Sequence, residues 1–140
     1  MTPIMTEAEL TEFMYRAFPQ AADDFHVERL TPEGIVMRLR VAERHLRPGG
    51  TVSGPTMFGL ADVAIYLAIL ARIGPVALAV TTNGSIDFLR KPAAGVDLLG
   101  EARLLKLGKV LAVGDVLIRS EGVEAPVARS SMTYSLPPQR

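Results

Sequence analysis

The sequence contains no cysteine and no tryptophan, and its only histidines are His26 and His45. Without cysteine the chain can form no disulfide, no thiolate nucleophile and no thiolate metal site, and two histidines argue against a zinc centre. An excess of charge is also missing, since 15 basic residues balance 15 acidic ones. The basic residues are scattered, so nothing favours a nucleic-acid partner.

Long charge-free runs are absent as well. The longest ones, residues 48–61 and 73–86, are shorter than a membrane span and contain Gly and Pro, and the acidic beginning of the chain is unlike a signal peptide. We therefore expect a cytoplasmic protein that does not contact a membrane. With 49% hydrophobic residues, the 140 residues are enough for one well-filled domain over residues 1–140.

Local patterns predict a helix near the N-terminus and about six strands. Thr6 and Glu9 have the spacing of a capping box, which starts a helix that Pro19 ends near residue 18, so residues 1–20 form an N-terminal helical segment. Alternating apolar residues over 34–41 indicate a strand that pairs with a preceding one. The other strands are predicted at about 25–30, 76–89, 96–107, 110–120 and 125–135. Short turns between successive strands favour an antiparallel meander.

The segment from Pro55 to Ala71 is the most unusual part of the sequence. Its only charged side chain is Asp62, and apolar residues occupy every face of the predicted helix. Such a helix must be covered on nearly all sides. We therefore expect an α+β architecture in which a curved antiparallel sheet wraps around one long apolar helix.

Asp62 and Gly54 are the candidate catalytic residues of this segment. A carboxylate among apolar side chains is costly to ionise without partners, and such groups are common at active sites. The alternative is an Asp that backbone or hydroxyl donors satisfy without chemistry. Gly54, just before the helix, offers its N–H and the positive end of the helix dipole to an oxyanion, unless it only marks a tight turn.

The spacing of these two residues predicts a dimer. Gly54 and Asp62 are eight residues apart, which corresponds to about 12 Å along one helix. One helix cannot bring both groups to one carbonyl. Two antiparallel copies can, with Gly54 of one subunit facing Asp62 of the other, so we expect a twofold homodimer with two equivalent shared sites.

Two motifs resemble a known family. Residues 50–64 (GTVSGPTMFGLADVA) and 85–92 (SIDFLRKP) look like the PaaI-like (phenylacetic acid degradation type) branch of the hot-dog-fold acyl-CoA thioesterases, and the resemblance covers about residues 35–136. It implies a hot-dog fold, homodimers that often pair into homotetramers, and a site between subunits. It also implies hydrolysis of an acyl-CoA thioester to a carboxylic acid and free CoA, with neither a metal nor a redox cofactor.

The resemblance assigns roles by position. Asp62 resembles the family's catalytic carboxylate, which activates water or attacks the thioester carbonyl, and Gly54 resembles the glycine whose N–H polarises that carbonyl. Thr81 falls near a Ser or Thr position that helps to hold the water, although strand threonines are common. Tyr66 would line the acyl pocket or pack in the core. Basic residues beside turns that border the CoA groove in the family are Arg90, Lys91, Lys106 and Lys109. Each of them alone is interpreted as a solvated surface charge, and only their convergence in space would indicate CoA binding.

The sequence departs from the family pattern just before the long helix. Arg47 stands in an Asn position, Ser53 in a His position and Pro55 in a Gly position. Pro55 removes one N–H donor but leaves that of Gly54. Ser53 would cap the helix or touch the thioester oxygen, and Arg47 would bind a carboxylate or phosphate unless it is a solvated loop residue.

These departures keep two other functions open. One is a non-hydrolytic acyl-CoA binding protein, and the weaker one is a hot-dog dehydratase. His45 is interpreted as a partly exposed loop residue. A triad of Ser53, His45 and Asp62 ranks low, because nothing here resembles a nucleophile elbow.

Overall fold

The long apolar segment forms one helix, and a single antiparallel sheet wraps around it. The structure is a computed structural model that describes residues 1–138. Its elements, in chain order, are α1 (Glu7–Ala17), α2 (Pro19–Ala22), β1 (Phe25–Leu30), β2 (Gly34–Leu39), α3 (Gly54–Ile73), β3 (Val80–Phe88), β4 (Leu98–Leu107), β5 (Leu111–Ser120) and β6 (Ala128–Ser135). The α+β hot-dog architecture expected from the sequence is confirmed.

Helix α1 begins at the predicted capping box. The Thr6 hydroxyl accepts a hydrogen bond from the Glu9 N–H at 3.1 Å, and the Glu9 carboxylate accepts one from the Thr6 N–H at 2.9 Å. The helix ends at Ala17, as predicted, and Pro19 opens the short helix α2. Its fixed φ and missing N–H suit the first position of a helix.

The strand order of the sheet is β1-β2-β4-β5-β6-β3, and all neighbours are antiparallel. Strands β4, β5 and β6 form the predicted meander. Strand β3 is not next to β4, the strand that follows it in the chain, because the connection between them crosses the sheet. Instead β3 pairs with β6, and β4 pairs with β2. Strand β3 therefore lies at one edge of the sheet, with one side unpaired.

Several element boundaries differ from the prediction by a few residues. Strand β3 begins at Val80 rather than near residue 76, because Gly74 at φ 98° and the following Pro75 turn the chain at the end of α3. Strand β2 ends at Leu39, and beyond it the Val41 N–H donates to the Asp97 carboxylate at 3.0 Å instead of to a strand.

Helix α3 is the centre of the core. It packs against the sheet and α1, and β5 has a glycine where neighbouring atoms leave no room for a Cβ. A Cβ at Gly114 would lie 2.5 Å from Ile65 Cδ1 and 2.9 Å from the Arg103 carbonyl oxygen. By length and composition α3 is long and apolar enough to cross a membrane, although the charge-free runs of the sequence did not indicate this. Most of this helix is buried inside the molecule.

His45 is buried, so its interpretation as a partly exposed residue is wrong. Its Nδ1 accepts a hydrogen bond from the Ala42 N–H at 2.9 Å, so Nε2 carries the ring proton and donates to Asp24 Oδ1 at 2.8 Å. Burial alone would raise the pKa of Asp24, but hydrogen bonds from Arg44 and His45 lower it. His45 thus fastens the loop after β2 to the start of β1.

Candidate active site

The Asp62 carboxylate is half-buried and has two hydroxyl partners. Its Oδ1 accepts a hydrogen bond of 2.6 Å from the Thr81 hydroxyl on β3 and one of 2.7 Å from the Tyr134 hydroxyl on β6. The Tyr134 hydroxyl also lies 3.1 Å from the Asp62 carbonyl oxygen. Hydroxyl donors of this kind stabilise an ionised carboxylate. We call Asp62, Thr81 and Tyr134 the carboxylate half-site.

A β-bulge directs Thr81 towards Asp62. Thr81 pairs with Tyr134, and Asn83 pairs with Thr133, which leaves Thr82 as an extra residue. Before the bulge, the odd-numbered Thr81 faces α3. After the bulge, the even-numbered residues of β3 face α3 instead. Bulges of this kind redirect a side chain at a chosen point of a strand.

A cavity of about 430 Å³ opens beside Asp62. Its walls include Ala17, Phe18, Tyr66, Ala77 and Val80. The Tyr66 hydroxyl donates to the Ala77 carbonyl at 3.0 Å, and the Tyr66 ring stacks on that of Tyr134 with 6.0 Å between centroids. Tyr66 therefore packs in the core and also borders the cavity.

The two tyrosines beside Asp62 remain protonated donors. Burial raises the pKa of Tyr66. Burial also raises the pKa of Tyr134, and the negative charge of Asp62 raises it further. Neither phenol ionises in the pH range in which the protein would work, so each hydroxyl acts as a hydrogen-bond donor to its oxygen acceptor.

Gly54 is the first residue of α3. The Ser53 hydroxyl caps the helix by accepting from the Thr56 N–H at 3.3 Å, and Pro55 is the second helical residue rather than the first. Within residues 1–138 the Gly54 N–H has no acceptor. The Phe88 ring lies over this residue, since a Cβ on Gly54 would be 3.0 Å from Phe88 Cζ. We call Gly54, Ser53 and Phe88 the glycine half-site.

The expected CoA-binding residues do not converge within one protomer. The exposed ones are Arg47, Pro55, Arg90, Lys91, Lys106 and Lys109. Arg90 and Lys91 follow the Phe88 end of β3, where the Arg90 guanidinium contacts the Pro126 carbonyl oxygen. Lys109 lies in the turn before β5, at the other end of β3, because Leu111 and Val80 both pair with Ser135. Over nine residues, β3 separates these ends by roughly 26 Å.

Ser53, His45 and Asp62 do not form a triad. The Ser53 hydroxyl is bonded to Thr56, and the His45 ring is bonded to Ala42 and Asp24. The Asp62 carboxylate is bonded to neither of them.

Sequence reasoning missed Tyr134 and Phe88. The alternation of β6 places residue 134 on the same face as Met132, which is the face towards α3, and a buried phenol needs a polar partner. That signal could have identified Tyr134. The place of Phe88 over Gly54 depends on the position of β3 in the sheet, which the sequence pattern did not reveal.

A larger groove of about 620 Å³ lies on the outer face of the sheet. Its charged lining residues include Glu101, Arg103, Asp115 and Arg129. It contains none of the candidate residues, and in the part of the chain that the structure describes no group of three or more His, Asp and Glu side chains could hold a metal ion. The carboxylate half-site is therefore the better candidate.

Comparisons with known proteins point in one direction. A family model described as the thioesterase superfamily matches residues 49–127. The crystal structure of a "putative thioesterase" from Silicibacter sp. TM1040 is 59% identical, covers 99% of this chain and 96% of that one, and has a TM-score of 0.93. A "putative esterase" of Pseudomonas aeruginosa is 32% identical over 74% of this chain and 75% of its own length. A mutant of the phenylacetic acid degradation protein PaaI from Thermus thermophilus is 27% identical, covers 90% of this chain and 99% of that one, and has a TM-score of 0.69.

Proposed function

Because the chain belongs to the thioesterase superfamily, we propose that it hydrolyses an acyl-CoA thioester to a carboxylic acid and free CoA, at a site shared between two subunits. The observation that carries the proposal is the Asp62 carboxylate, held by two hydroxyl donors beside an open cavity. The 59% identity to a protein described as a "putative thioesterase" supports the same class of reaction.

In this reaction Asp62 and Gly54 act on opposite sides of the thioester carbonyl. Asp62 takes a proton from a water molecule, and the water oxygen bonds to the carbonyl carbon. The Gly54 N–H and the α3 dipole stabilise the negative charge that develops on the carbonyl oxygen. The C–S bond then breaks, and the proton passes to the thiolate to give the thiol. Direct attack by the Asp62 carboxylate, through an anhydride that water opens, uses the same two groups.

The positions of the two half-sites support sharing between subunits. They lie at opposite ends of β3, and the helical rise from Gly54 to Asp62 is about 12 Å. Val80 and Phe88 on this edge strand are each 54% exposed. Antiparallel pairing of β3 with β3 of a second copy places the Phe88 end of one subunit at the Val80 end of the other, and so places Gly54 opposite the partner's Asp62. We propose this homodimer, whether or not it pairs further into a tetramer.

The same arrangement accounts for the basic residues. In the proposed dimer, Arg90 and Lys91 of one subunit lie at the same end as the partner's Lys109, where phosphate groups of CoA need cationic partners. Two more distant proteins with this fold have structures with a CoA ligand. The one from Streptococcus pneumoniae, 21% identical to this chain, contains coenzyme A, and the one from Streptococcus mutans, 24% identical, contains acetyl CoA. They support the view that the fold accommodates such a ligand. The reaction needs only water, so we propose no resident cofactor. We also propose a cytoplasmic location.

The Asp62→Asn variant tests the proposed function. With a panel of aryl-, short- and medium-chain acyl-CoAs, wild type releases thiol and Asp62→Asn releases it at least about 100-fold more slowly. Asn keeps the shape and an acceptor for the two hydroxyls, so the variant stays folded. The matched control is Asp115→Asn on the outer face of the sheet, which keeps its turnover. Undiminished turnover in Asp62→Asn removes this carboxylate from the mechanism.

A non-hydrolytic acyl-CoA binding protein is the second candidate. It is favoured by the helix entry, where the Ser53 hydroxyl is used as a cap and Pro55 has no N–H, which leaves Gly54 as the donor. Acyl-CoA that raises the melting temperature without any thiol release identifies this function. The dehydratase alternative is less favoured, because neither histidine is hydrogen-bonded to Asp62: the His45 ring is bonded to Ala42 and Asp24, and His26 Nε2 lies 3.0 Å from the Asp23 carbonyl oxygen.

A further inference from the structure

The two carboxylate oxygens of Asp62 have different surroundings. Thr81 and Tyr134 both donate to Oδ1, and no hydrogen bond within residues 1–138 reaches Oδ2. Among these residues no buried side-chain oxygen or nitrogen lacks a partner, so Oδ2 is not sealed in the interior. It is the oxygen that water or substrate can reach from the adjacent cavity.

We propose that Tyr134 is a positioning residue for the reaction: together with Thr81 it fixes Oδ1 of Asp62, so that Oδ2 is the oxygen that takes the proton or attacks. This inference rests on the proposed function. It assigns a task to a strand residue outside the region that the family model matches, which ends at residue 127. It also changes the expected task of Thr81 from holding water to holding the carboxylate.

Tyr134 is well suited to hold another side chain still. It is 3% exposed, its ring stacks on Tyr66, and β6 is hydrogen-bonded to strands on both of its sides. Thr81 is its direct partner in the β3–β6 ladder, so the two hydroxyls are carried by one rigid unit. A tyrosine has few rotatable bonds, which keeps the entropy cost of this arrangement small.

Loss of either hydroxyl frees the carboxylate to turn about its side-chain bonds. A displacement of about 1 Å at a reacting group is enough to cost roughly 100-fold in rate. Tyr134→Phe and Thr81→Val remove a hydroxyl but keep the ring or branched shape that each residue gives to the cavity wall, and therefore the effect falls on kcat and leaves KM nearly unchanged.

The test compares Tyr134→Phe with Ser130→Ala. Ser130 lies on the same strand and the same face, is also buried, and donates to the Ser85 carbonyl on β3 at 2.7 Å, but it does not touch Asp62. Both changes remove one buried hydroxyl between β6 and β3. We expect Tyr134→Phe to lower kcat by about 10- to 100-fold with KM changed less than about twofold, and Ser130→Ala to lower only the melting temperature.

Thr81 provides a second comparison. Thr81→Val keeps the shape of the side chain and removes its hydroxyl, whereas Thr81→Ser keeps the hydroxyl, so Thr81→Ser should retain more of the wild-type kcat than Thr81→Val. In parallel, NMR of tyrosine-labelled protein should show a phenolic proton of Tyr134 that exchanges slowly in wild type and is shifted or lost in Asp62→Ala, which no longer has the acceptor.

The outcomes separate this inference from the proposed function. If wild type releases thiol and the decrease in kcat of Tyr134→Phe is no larger than that of Ser130→Ala, the positioning role is wrong and the proposed thioesterase function is retained. If wild type releases no thiol from any thioester while the phenolic proton is still held by Asp62, the proposed function is wrong and Tyr134 only stabilises the fold. A matching loss of kcat in Tyr134→Phe and Thr81→Val supports the inference.

Discussion

Complementation between two inactive variants tests the shared site directly. Gly54→Val places a branched side chain where even a Cβ would lie 3.0 Å from Phe88, and so blocks the approach to the Gly54 N–H. Asp62→Asn inactivates the carboxylate. In the proposed dimer each site takes Gly54 from one subunit and Asp62 from its partner, so a heterodimer of the two variants has one site with both substitutions and one site with neither.

The expected size of the recovery follows from counting sites. Free exchange of equal amounts makes about half of the dimers heterodimers, each with one active site of two, so the mixture regains about a quarter of the wild-type activity. Two groups separated by about 12 Å along a helix cannot both lie within hydrogen-bonding distance of one carbonyl. A site within one subunit would therefore regain nothing in this experiment.

The assay is thiol release by heterodimers purified with two different affinity tags. A purified heterodimer should have about half of the wild-type activity per dimer. The reciprocal control pairs wild type with a subunit that carries both substitutions, and here a shared site predicts no activity, whereas a site within one subunit predicts about half. Failure of the first heterodimer together with activity in the second refutes the shared site.

Two further predictions concern stability and selectivity. Arg38 is hydrogen-bonded to Glu28, Asp97 and Glu121 at 2.8 to 3.0 Å. The bond from Arg38 lowers the pKa of Glu28, and for Asp97 the bonds from the Val41 N–H and Arg38 outweigh the burial that would raise its pKa. This stabilisation is present above about pH 4 and is lost as the pH falls through the lowered pKa values. Arg38→Met should therefore lower the free energy of unfolding by about 2 kcal/mol at pH 7, and in urea unfolding its stability should depend less on acid pH than that of wild type. An unchanged acid dependence contradicts this. Phe18→Ala removes one wall of the cavity beside Asp62. Because each buried methylene contributes about 0.8 kcal/mol, relative kcat/KM should shift towards longer acyl chains by about fourfold for each added methylene. An unchanged chain-length profile shows that the acyl group lies elsewhere.

The sequence was sufficient for the elements of the fold and for the central carboxylate. An apolar helix with one charged residue requires a covering sheet, and that reasoning identified both the architecture and Asp62. The capping residue Thr6 was found for the same local reason. Local patterns do not determine which strands become neighbours, so the position of β3, and with it the contact of Phe88 with Gly54, was not predicted.

Two polar side chains show where local reasoning ends. His45 was expected to be partly exposed because its neighbours are loop residues, but Asp24, 21 positions away, gives the buried ring a hydrogen-bond partner. Tyr134 was seen only as part of a strand. Its contact with Asp62 spans 72 positions of the chain, and no local pattern encodes such a pairing.

In the proposed mechanism, the bulge at Thr82 makes correct folding and catalytic competence separate properties. A strand that slipped so that its extra residue lay elsewhere would still pair with β6 and still cover α3, but Thr81 would point away from Asp62. Such a protomer would pass every test of secondary structure and compactness. The fraction of protein that is folded and the fraction that is active are therefore two quantities, and a preparation can be uniform in the first and mixed in the second.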